Sequence, residues 1–115
     1  MTQPVWSQGQ ILLLLLRFSD GVGAKRRPVL VVHDFGDADL LVVPITSHAA
    51  RGPGDMTVQN WADAGLRLPS TVRVEKLATV EKCCVVRVLG TLAEEDLALF
   101  RQELAIVCRR FLGQA

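Results

Sequence analysis

The stretch RPVLVVHDFGDADLLVVPITS (residues 27–47) contains two apolar runs on either side of a short segment of turn-forming residues. Both runs are rich in Val, and this β-branched composition favours strands. Pro28 stands near the start of the first run, where a missing backbone N–H is tolerated. The segment Phe35–Asp39 supplies the Gly and Asp residues of a hairpin turn. The stretch therefore predicts two antiparallel strands, residues 27–34 and 40–47.

Further segments with strand character lie on both sides of this hairpin. The run GQILLLLLRF (residues 9–18) is continuously apolar without a helical period, which predicts a strand buried on both faces. Turn-like residues follow it (19–24). TVRVEKL (71–77) alternates as a strand does, KCCVVRVLGTL (82–92) is another β-branched segment, and a short strand is predicted around Met56.

The C-terminal tail, residues 93–113, has the periodicity of an amphipathic helix. Acidic residues open the tail, arginines close it, and Gly113 is placed for a C-terminal cap, all in agreement with the helix dipole and with capping preferences. Thr91 and Glu94 have the spacing of a capping box. The chain is thus predicted to be mainly β with one C-terminal helix (an α+β chain), forming a small barrel or curled sheet closed by that helix. The predicted apolar stripe consists of Leu97, Phe100, Leu104, Val107, Cys108 and Phe111.

The composition is that of an ordinary globular domain. The chain has 115 residues, 50% of them hydrophobic, and a formal net charge of +1, which suits one domain over residues 1–115. A net charge this small neither indicates nor excludes nucleic-acid binding, so the position of each charge matters more than the sum. The apolar run 11–16 is far shorter than the ~20 residues that cross a bilayer, and no cationic start of a signal sequence precedes it. We therefore expect a soluble, cytoplasmic protein.

The cysteines and histidines do not have the spacing of a disulfide framework or a metal site. Cys83, Cys84 and Cys108 are odd in number, which predicts reduced and buried thiols. There is no CxxC motif, and His33 and His48 are isolated in the sequence. No metal and no cofactor are expected.

Two groups of polar residues are candidates for phosphate binding. Lys25, Arg26 and Arg27 immediately precede Pro28, and guanidinium groups match phosphate oxygens with bidentate hydrogen bonds. The alternative is a solvated cationic loop tip. Thr46 and Ser47 end the next strand, where their hydroxyls either donate to a phosphate or cap the following turn.

A third candidate is the pair Arg73 and Glu75. Residues two apart in a strand share one face, so the two side chains form either a groove-lining acid–base pair, extended by Lys76, or a surface ion pair contributing about 0–1 kcal/mol. His33 and His48 are general acid or base candidates without an evident partner in the sequence.

In this order the motifs resemble the MazF/PemK family of toxin endoribonucleases from bacterial type II toxin–antitoxin systems. The segments concerned are RRPVLVVHD (26–34), LLVVPITS (40–47) and the long block from WADAGLRLPS to TLAEEDL (61–97), and the resemblance extends from about residue 9 to about residue 104. It implies an SH3-like small barrel of the MazF/PemK/CcdB toxin type that works as a homodimer. It also implies metal-independent, sequence-specific cleavage of single-stranded RNA, with mRNA as the expected class, and inhibition of growth.

The resemblance also implies roles for individual residues. The family's catalytic arginine falls on Arg27 and its strand-end threonine on Thr46, while the Arg-x-Asp pair of the related Kid branch falls on Arg73 and Glu75. In the implied reaction the ribose 2′-hydroxyl attacks the adjacent phosphate and leaves a 2′,3′-cyclic phosphate and a 5′-hydroxyl. Arg27 would stabilise the developing charge, Thr46 would donate a hydrogen bond, Glu75 would accept the proton and Arg73 would hold Glu75 or the phosphate. The residues expected to guide the RNA are Lys25, Arg26, Ser47 and Lys76.

A cognate antitoxin is the implied protein partner, with an acidic, disordered segment that folds across the basic groove. The apolar run 11–16 is expected to exceed what one small core fully covers, which gives weak support to a homodimer. Two alternatives of other classes stay open: a non-enzymatic poison of DNA gyrase, like the CcdB toxins, and an inactive RNA- or protein-binding barrel. A gyrase poison needs no Arg-Thr-Arg-Glu set, which argues against the first of these.

Overall fold

The computed structural model describes residues 4–17 and 21–114. The predicted mainly β chain with one C-terminal helix is confirmed. In the described residues the strands and helix are β1 (Gln10–Arg17), β2 (Ala24–Asp34), β3 (Asp39–Thr46), β4 (Asp55–Thr57), β5 (Thr71–Arg73), β6 (Ala78–Glu81), β7 (Val85–Thr91) and α1 (Glu94–Phe111), with a 3-10 turn at Lys82–Cys84 between β6 and β7.

The strands form one antiparallel system in the order β4-β5-β3-β2-β1-β7. β3 is the branching strand, because its first half (Asp39–Val42) pairs with β6 and its end (Ile45–Thr46) pairs with β5. Among the described residues β4 and β7 are not paired with each other, so the sheet does not close into a complete ring. This arrangement fits a small β fold of the expected kind.

The predicted hairpin of residues 27–47 is confirmed as β2 and β3, but β2 begins three residues earlier than expected. Residues 25–27 pair with residues 14–16 of β1 inside the strand. The prediction that Lys25 and Arg26 lie on a loop was therefore wrong, because the apolar run of β1 is long enough to pair with them. The predicted turn 19–24 lies partly outside the described residues, as does Phe18.

The strand predicted over residues 71–77 is shorter than expected and ends at Arg73. The Val74 N–H donates to the Gly54 carbonyl at 2.7 Å and the Lys76 N–H donates to the Arg73 carbonyl at 3.1 Å, so the chain turns here. Glu75 lies in this turn. The prediction that Arg73 and Glu75 share one face of a strand was wrong.

The central strands bury both faces, as the apolar run of β1 predicts. Ile11, Leu12 and Leu14 are all 0% exposed in the single chain. They divide between two core clusters, Ile11 in the cluster that includes Phe100 of α1 and the two leucines in a cluster on the other side. The surplus apolar surface expected of residues 11–16 is smaller than expected, because Leu13 and Leu15 are half-buried and Leu16 is 37% exposed.

The two ends of the helix α1 differ in how they are capped. No side chain caps its N-terminus, and the predicted capping box does not form because Thr91 belongs to β7. At the C-terminus the prediction is confirmed: Gly113 has φ of +75° and its N–H bonds to the Arg110 carbonyl, while the Gln114 N–H bonds to the Arg109 carbonyl at 2.8 Å. This is the Schellman pattern.

The predicted apolar stripe of α1 faces the core along most of its length. Phe100 and Val107 are buried, and Leu97 and Leu104 pack against the same cluster. Phe111 is 58% exposed, so its assignment to the stripe was wrong. No helix in the described part of the chain is long and apolar enough to span a membrane.

The three cysteines are free thiols, as their odd number predicts. Their expected burial was wrong for Cys83, which is exposed, while Cys84 and Cys108 are half-buried. Cys83 lies in the 3-10 turn directly after Lys82.

A buried ion pair fastens the N-terminal segment to the sheet. The Lys82 ammonium lies 2.9 Å from the Asp34 carboxylate and donates to the Pro4 carbonyl at 2.8 Å. The carboxylate also accepts the backbone N–H groups of Trp6 and Gly36, each at 2.8 Å. The hydrogen bonds from Lys82 and Trp6 lower the pKa of Asp34 to about 2.

We predict that Asp34→Asn destabilises the fold by about 3–5 kcal/mol near neutral pH, because it leaves the Lys82 charge buried without its partner. Since the folded pKa of Asp34 is lower than the unfolded value, the ion pair stabilises the fold above the unfolded pKa and is lost as the pH falls from 3.8 through about 2. Urea unfolding at pH 7 and at steps from pH 5 downward should show the gap between wild type and variant closing below pH 4. The matched control is Asp63→Asn at an exposed carboxylate; an equal pH dependence in both variants would contradict the prediction.

Candidate functional site

A cavity of about 570 Å³ lies where β2 begins and β3 ends. Its walls come from β1, β2, β3, β7 and the segment between β4 and β5. Apolar side chains form one part of the lining, namely Leu13, Pro28, Ile45, Leu66, Leu68 and Leu89. Polar groups form the other part, namely Arg26, Arg27, Thr46, Ser47, His48, Arg67, Ser70 and Arg87.

The antiparallel register brings Arg27 and Thr46 to this cavity. Val29 of β2 pairs with Pro44 of β3, so the start of one strand and the end of the other lie at the same end of the sheet. Both strands are buried in their middle and become more exposed towards this end. The structure therefore brings together four residues predicted from the sequence, Arg27 and Thr46 with their neighbours Arg26 and Ser47.

Strand alternation places Arg26 and Arg27 on opposite faces of β2. Arg26 pairs with Leu15 of β1 and Arg27 pairs with Leu14. β3 pairs with β2 only from Val29 onward, so β3 does not occupy the edge of β2 beside Arg27. Both arginines line the cavity, approaching it from different faces of the same strand.

The hydroxyl of Thr46 has a defined partner in the turn that follows β3. The His48 N–H donates to the Thr46 Oγ at 3.2 Å. Turn capping, one of the two roles considered for this hydroxyl, is therefore present. A hydroxyl that accepts from a backbone N–H keeps its own O–H proton to donate, so capping and ligand binding are compatible here.

Two arginines of the cavity, Arg67 and Arg87, were missed by the sequence reasoning. Arg87 lies in β7, where it pairs with Leu13 of β1, and Arg67 lies in the irregular segment after β4. Nothing in their spacing links them to Arg27. The nearby glycines Gly65 and Gly90 are the sequence signal that could have indicated a close approach of the two segments.

Gly65 and Gly90 allow the segment after β4 to pack directly against β7. Gly65 has φ of +86°, and a Cβ at this position would collide with the Leu89 carbonyl. A Cβ at Gly90 would collide with the Ala64 carbonyl in the same way. Only glycine fits this close approach of two backbones, and the approach sets Arg67 beside the β7 wall of the cavity.

A second, much smaller cavity of about 30 Å³ adjoins the first and shares Thr46 and His48 with it. Arg73 and Asp55 line it, with the Arg73 Nε 3.8 Å from the Asp55 carboxylate. The Asp55 carboxylate also accepts the Arg51 N–H at 3.0 Å. The structure thus pairs Arg73 with Asp55 rather than with Glu75.

Glu75 lines neither of these two cavities. Its carboxylate lies 3.2 Å from the guanidinium of Arg110 in the last turn of α1. Its side chain covers Gly54, where a Cβ would collide with it. Lys25 and Lys76 are exposed and are also absent from the lining of both cavities.

The main cavity is suited to an anion attached to an apolar group. Among the described residues its lining contains four arginines and no carboxylate, so the local charge is strongly positive although the chain carries only +1. The apolar part of the lining can accommodate a flat ring, and the guanidinium groups can bind phosphate oxygens in the bidentate manner. A single nucleotide has this combination of properties.

Comparisons with known proteins identify the family and the fold. A family model described as PemK-like, MazF-like toxin of type II toxin–antitoxin systems matches residues 7–108. The comparison with curated proteins gave no match.

Solved structures of the same kind share the fold. The MazE–MazF complex of Deinococcus radiodurans is similar with a TM-score of 0.75 at 21% identity, covering 98% of this chain and 100% of that chain. A mycobacterial endoribonuclease in complex with its cognate antitoxin has a TM-score of 0.70 at 21% identity, covering 92% and 95%. The Mycobacterium tuberculosis toxin MazF-mt6 has a TM-score of 0.67 at 21% identity, covering 84% and 95%.

We predict that Gly65→Ala costs more stability than Gly36→Ala by about 1–3 kcal/mol, the usual range for overpacking. Both glycines have positive φ, +86° and +80°, so both variants bear a similar backbone strain. Only Gly65 faces a carbonyl, that of Leu89, whereas nothing lies within 4 Å of a Cβ at Gly36. Urea unfolding measures the difference, and faster amide exchange at residues 66–68 in Gly65→Ala would locate it. Equal losses in the two variants would show that the close approach is unimportant.

Proposed function

The chain belongs to the PemK-like, MazF-like family of toxins of type II toxin–antitoxin systems, and on that premise we propose that it is an endoribonuclease. The proposed substrate is single-stranded RNA, with mRNA as the expected class, cleaved without a metal ion at a short sequence. The observation that carries the proposal is the meeting of Arg27 and Thr46 in one cavity that contains four arginines and no carboxylate.

The proposed reaction uses the substrate's own 2′-hydroxyl as the nucleophile. As its oxygen bonds to phosphorus, negative charge grows on the non-bridging phosphate oxygens. The backbone of Arg27 is held in a strand, and its guanidinium at the cavity would bind that charge, which favours the transition state over the ground state. The Thr46 hydroxyl donates a neutral hydrogen bond to the same group. The products are a 2′,3′-cyclic phosphate and a 5′-hydroxyl.

The shape of the cavity supports single-stranded RNA over a duplex. Sequence-specific RNA binding depends on bases that are unstacked and available to side chains. A cavity of about 570 Å³ with an apolar part has room for a unit of this kind but not for a helix. The need for a 2′-hydroxyl as nucleophile excludes DNA as a cleaved substrate.

The roles of Arg73, Glu75, Lys25 and Lys76 stay predictions, and the structure places these residues differently from what the sequence suggests. Arg73 reaches the active region through the small cavity that shares Thr46 and His48, and in our proposal it binds the RNA backbone on that side. The pairing of Glu75 with Arg110 argues against its predicted role as the base, because this carboxylate faces α1 and lines neither cavity. Exposed Lys25 and Lys76 would steer RNA from outside the cavity.

We further propose that the protein acts in the cytoplasm as a homodimer and is neutralised by a cognate antitoxin. Both partners follow from the family. The Deinococcus radiodurans structure is a MazE–MazF complex, and one mycobacterial structure contains its cognate antitoxin. An acidic antitoxin segment would complement the arginines of the main cavity.

We predict that Arg27→Ala lowers the rate of RNA cleavage by about 100-fold or more, the usual cost of removing one donor to a transition-state charge. The assay incubates folded protein with single-stranded RNA in EDTA and identifies 2′,3′-cyclic phosphate ends. Arg27→Lys keeps the charge but not the planar fork, so a partial loss is expected. Arg109→Ala, at an exposed arginine of α1, is the matched control and should cleave normally.

Intact RNA after incubation with folded wild-type protein would overturn the proposed function. Cleavage that persists unchanged in Arg27→Ala would overturn the assignment of this arginine. Capture of DNA gyrase by the wild type without RNA cleavage would favour the gyrase poison instead.

We predict that Arg87→Ala and Arg67→Ala weaken RNA binding and each reduce the salt slope of log Kd by about 1, because one phosphate contact is lost. Binding to a fully 2′-O-methylated RNA between 50 and 200 mM salt measures this without cleavage. Arg109→Ala should keep the wild-type slope. Unchanged slopes in both cavity variants would exclude these arginines from the RNA site.

A further inference from the structure

We propose that His48 is the general base that takes the proton from the 2′-hydroxyl, an assignment that rests on the proposed function. Transesterification needs a proton acceptor close to the attacked phosphate. The geometry of the two cavities points to this histidine and away from the carboxylate suggested by the sequence.

The lining of the main cavity leaves little choice of acceptor. Its titratable side chains are arginines and His48. A guanidinium stays protonated at all physiological pH values and so cannot accept a proton, whereas a neutral imidazole has one ring nitrogen that can. Serine and threonine hydroxyls are too weakly basic to hold the proton.

His48 also lies close to the proposed phosphate-binding residues. It lines both the main and the small cavity, together with Thr46. The hydrogen bond of 3.2 Å from its N–H to the Thr46 Oγ fixes its backbone beside the hydroxyl proposed to bind the phosphate. The residue is exposed, so a substrate in the cavity has access to it.

The two neighbouring carboxylates, Asp55 and Glu75, already have partners. Asp55 is 11% exposed at its side chain and is bound by the Arg51 N–H and by Arg73. Glu75 is paired with Arg110 at 3.2 Å and lies outside both cavities. Neither lines the main cavity with Arg27 and Thr46.

The charged groups around His48 come from β2, β4, β5, β7 and the segments on either side of β4. The phosphate of the substrate brings negative charge into this mainly cationic setting, next to the imidazole. The groups are Arg26 and Arg27 from β2, Arg87 from β7, Arg67 from the segment after β4, Arg51 and Asp55 from the β3–β4 side, and Arg73 from β5.

The proposed step is balanced. The 2′-hydroxyl proton moves to the neutral imidazole of His48 while the 2′-oxygen bonds to phosphorus. The bond from phosphorus to the 5′-oxygen breaks, and this oxygen takes a proton from water. The imidazolium of His48 then returns its proton to solvent.

The test is the pH dependence of kcat/KM for RNA cleavage between pH 5 and 8. In wild type the rate should rise with pH as a single group ionises, and His48→Gln should lower it by about 10²–10³-fold and remove that rise. RNA binding should persist in the variant, because its arginines are intact. Added imidazole should restore part of the activity of His48→Ala, an effect that a purely structural role would not produce.

His33→Gln is the matched control. His33 lies near the far end of β2, with its ring edge-on to Phe35 at a centroid distance of 5.1 Å, and should retain the rate and pH profile of wild type. A wild-type rate and pH profile in His48→Gln, with Arg27→Ala inactive, would overturn the role of His48 and leave the proposed function standing. Transfer of the pH effect to Glu75→Gln would do the same in favour of Glu75. Absence of cleavage by the wild type would instead remove the function itself.

Discussion

Burial of both faces of β1, β2 and β3 is the constraint on which the other elements depend. Along the inner half of each strand consecutive side chains enter two different core clusters, so each face must be covered separately. The helix α1, through Phe100 and Val107, and the residues of β4 and β5 cover one face. Trp6, with residues of β6 and β7, covers the other. The Asp34–Lys82 pair then ties this second cover to the sheet with buried hydrogen bonds.

The same constraint decides where the candidate site lies. A strand that is apolar on both faces must become polar where one of its faces is no longer covered by other residues. In β2 this change from apolar to charged residues falls between Val29 and Arg27. In β3 it falls near Thr46. Because the two strands are antiparallel and in register at Val29 and Pro44, both changes occur at one end of the sheet. The β2–β3 side of the site is therefore a consequence of where burial stops, while the segment between β4 and β5 supplies the facing wall.

The family resemblance implied a shared site for Arg27 and Thr46, while local pattern was enough to predict the hairpin and the helix with its glycine cap. These features depend on composition and on the periodicity of single elements. Features that depend on contacts between distant segments were not accessible. Arg67 and Arg87 meet only because the backbones at Gly65 and Gly90 approach closely. Glu75 leaves its expected strand because the Val74 N–H bonds to Gly54 of another segment, an interaction that alternation cannot reveal.

A nearly neutral chain can form a strongly cationic cavity if its carboxylates lie outside the lining, and among the described residues no carboxylate lines this cavity. Four carboxylates are bound by other groups of the chain, and the arginines have no acidic neighbour among the described lining residues. An anionic ligand therefore does not have to displace an internal partner, and the electrostatic gain on binding is not offset by a broken ion pair. The engaged pairs are Asp34 with Lys82, Asp55 with Arg73, Glu75 with Arg110, and Asp96 with the backbone N–H groups of Gln59 and Asn60.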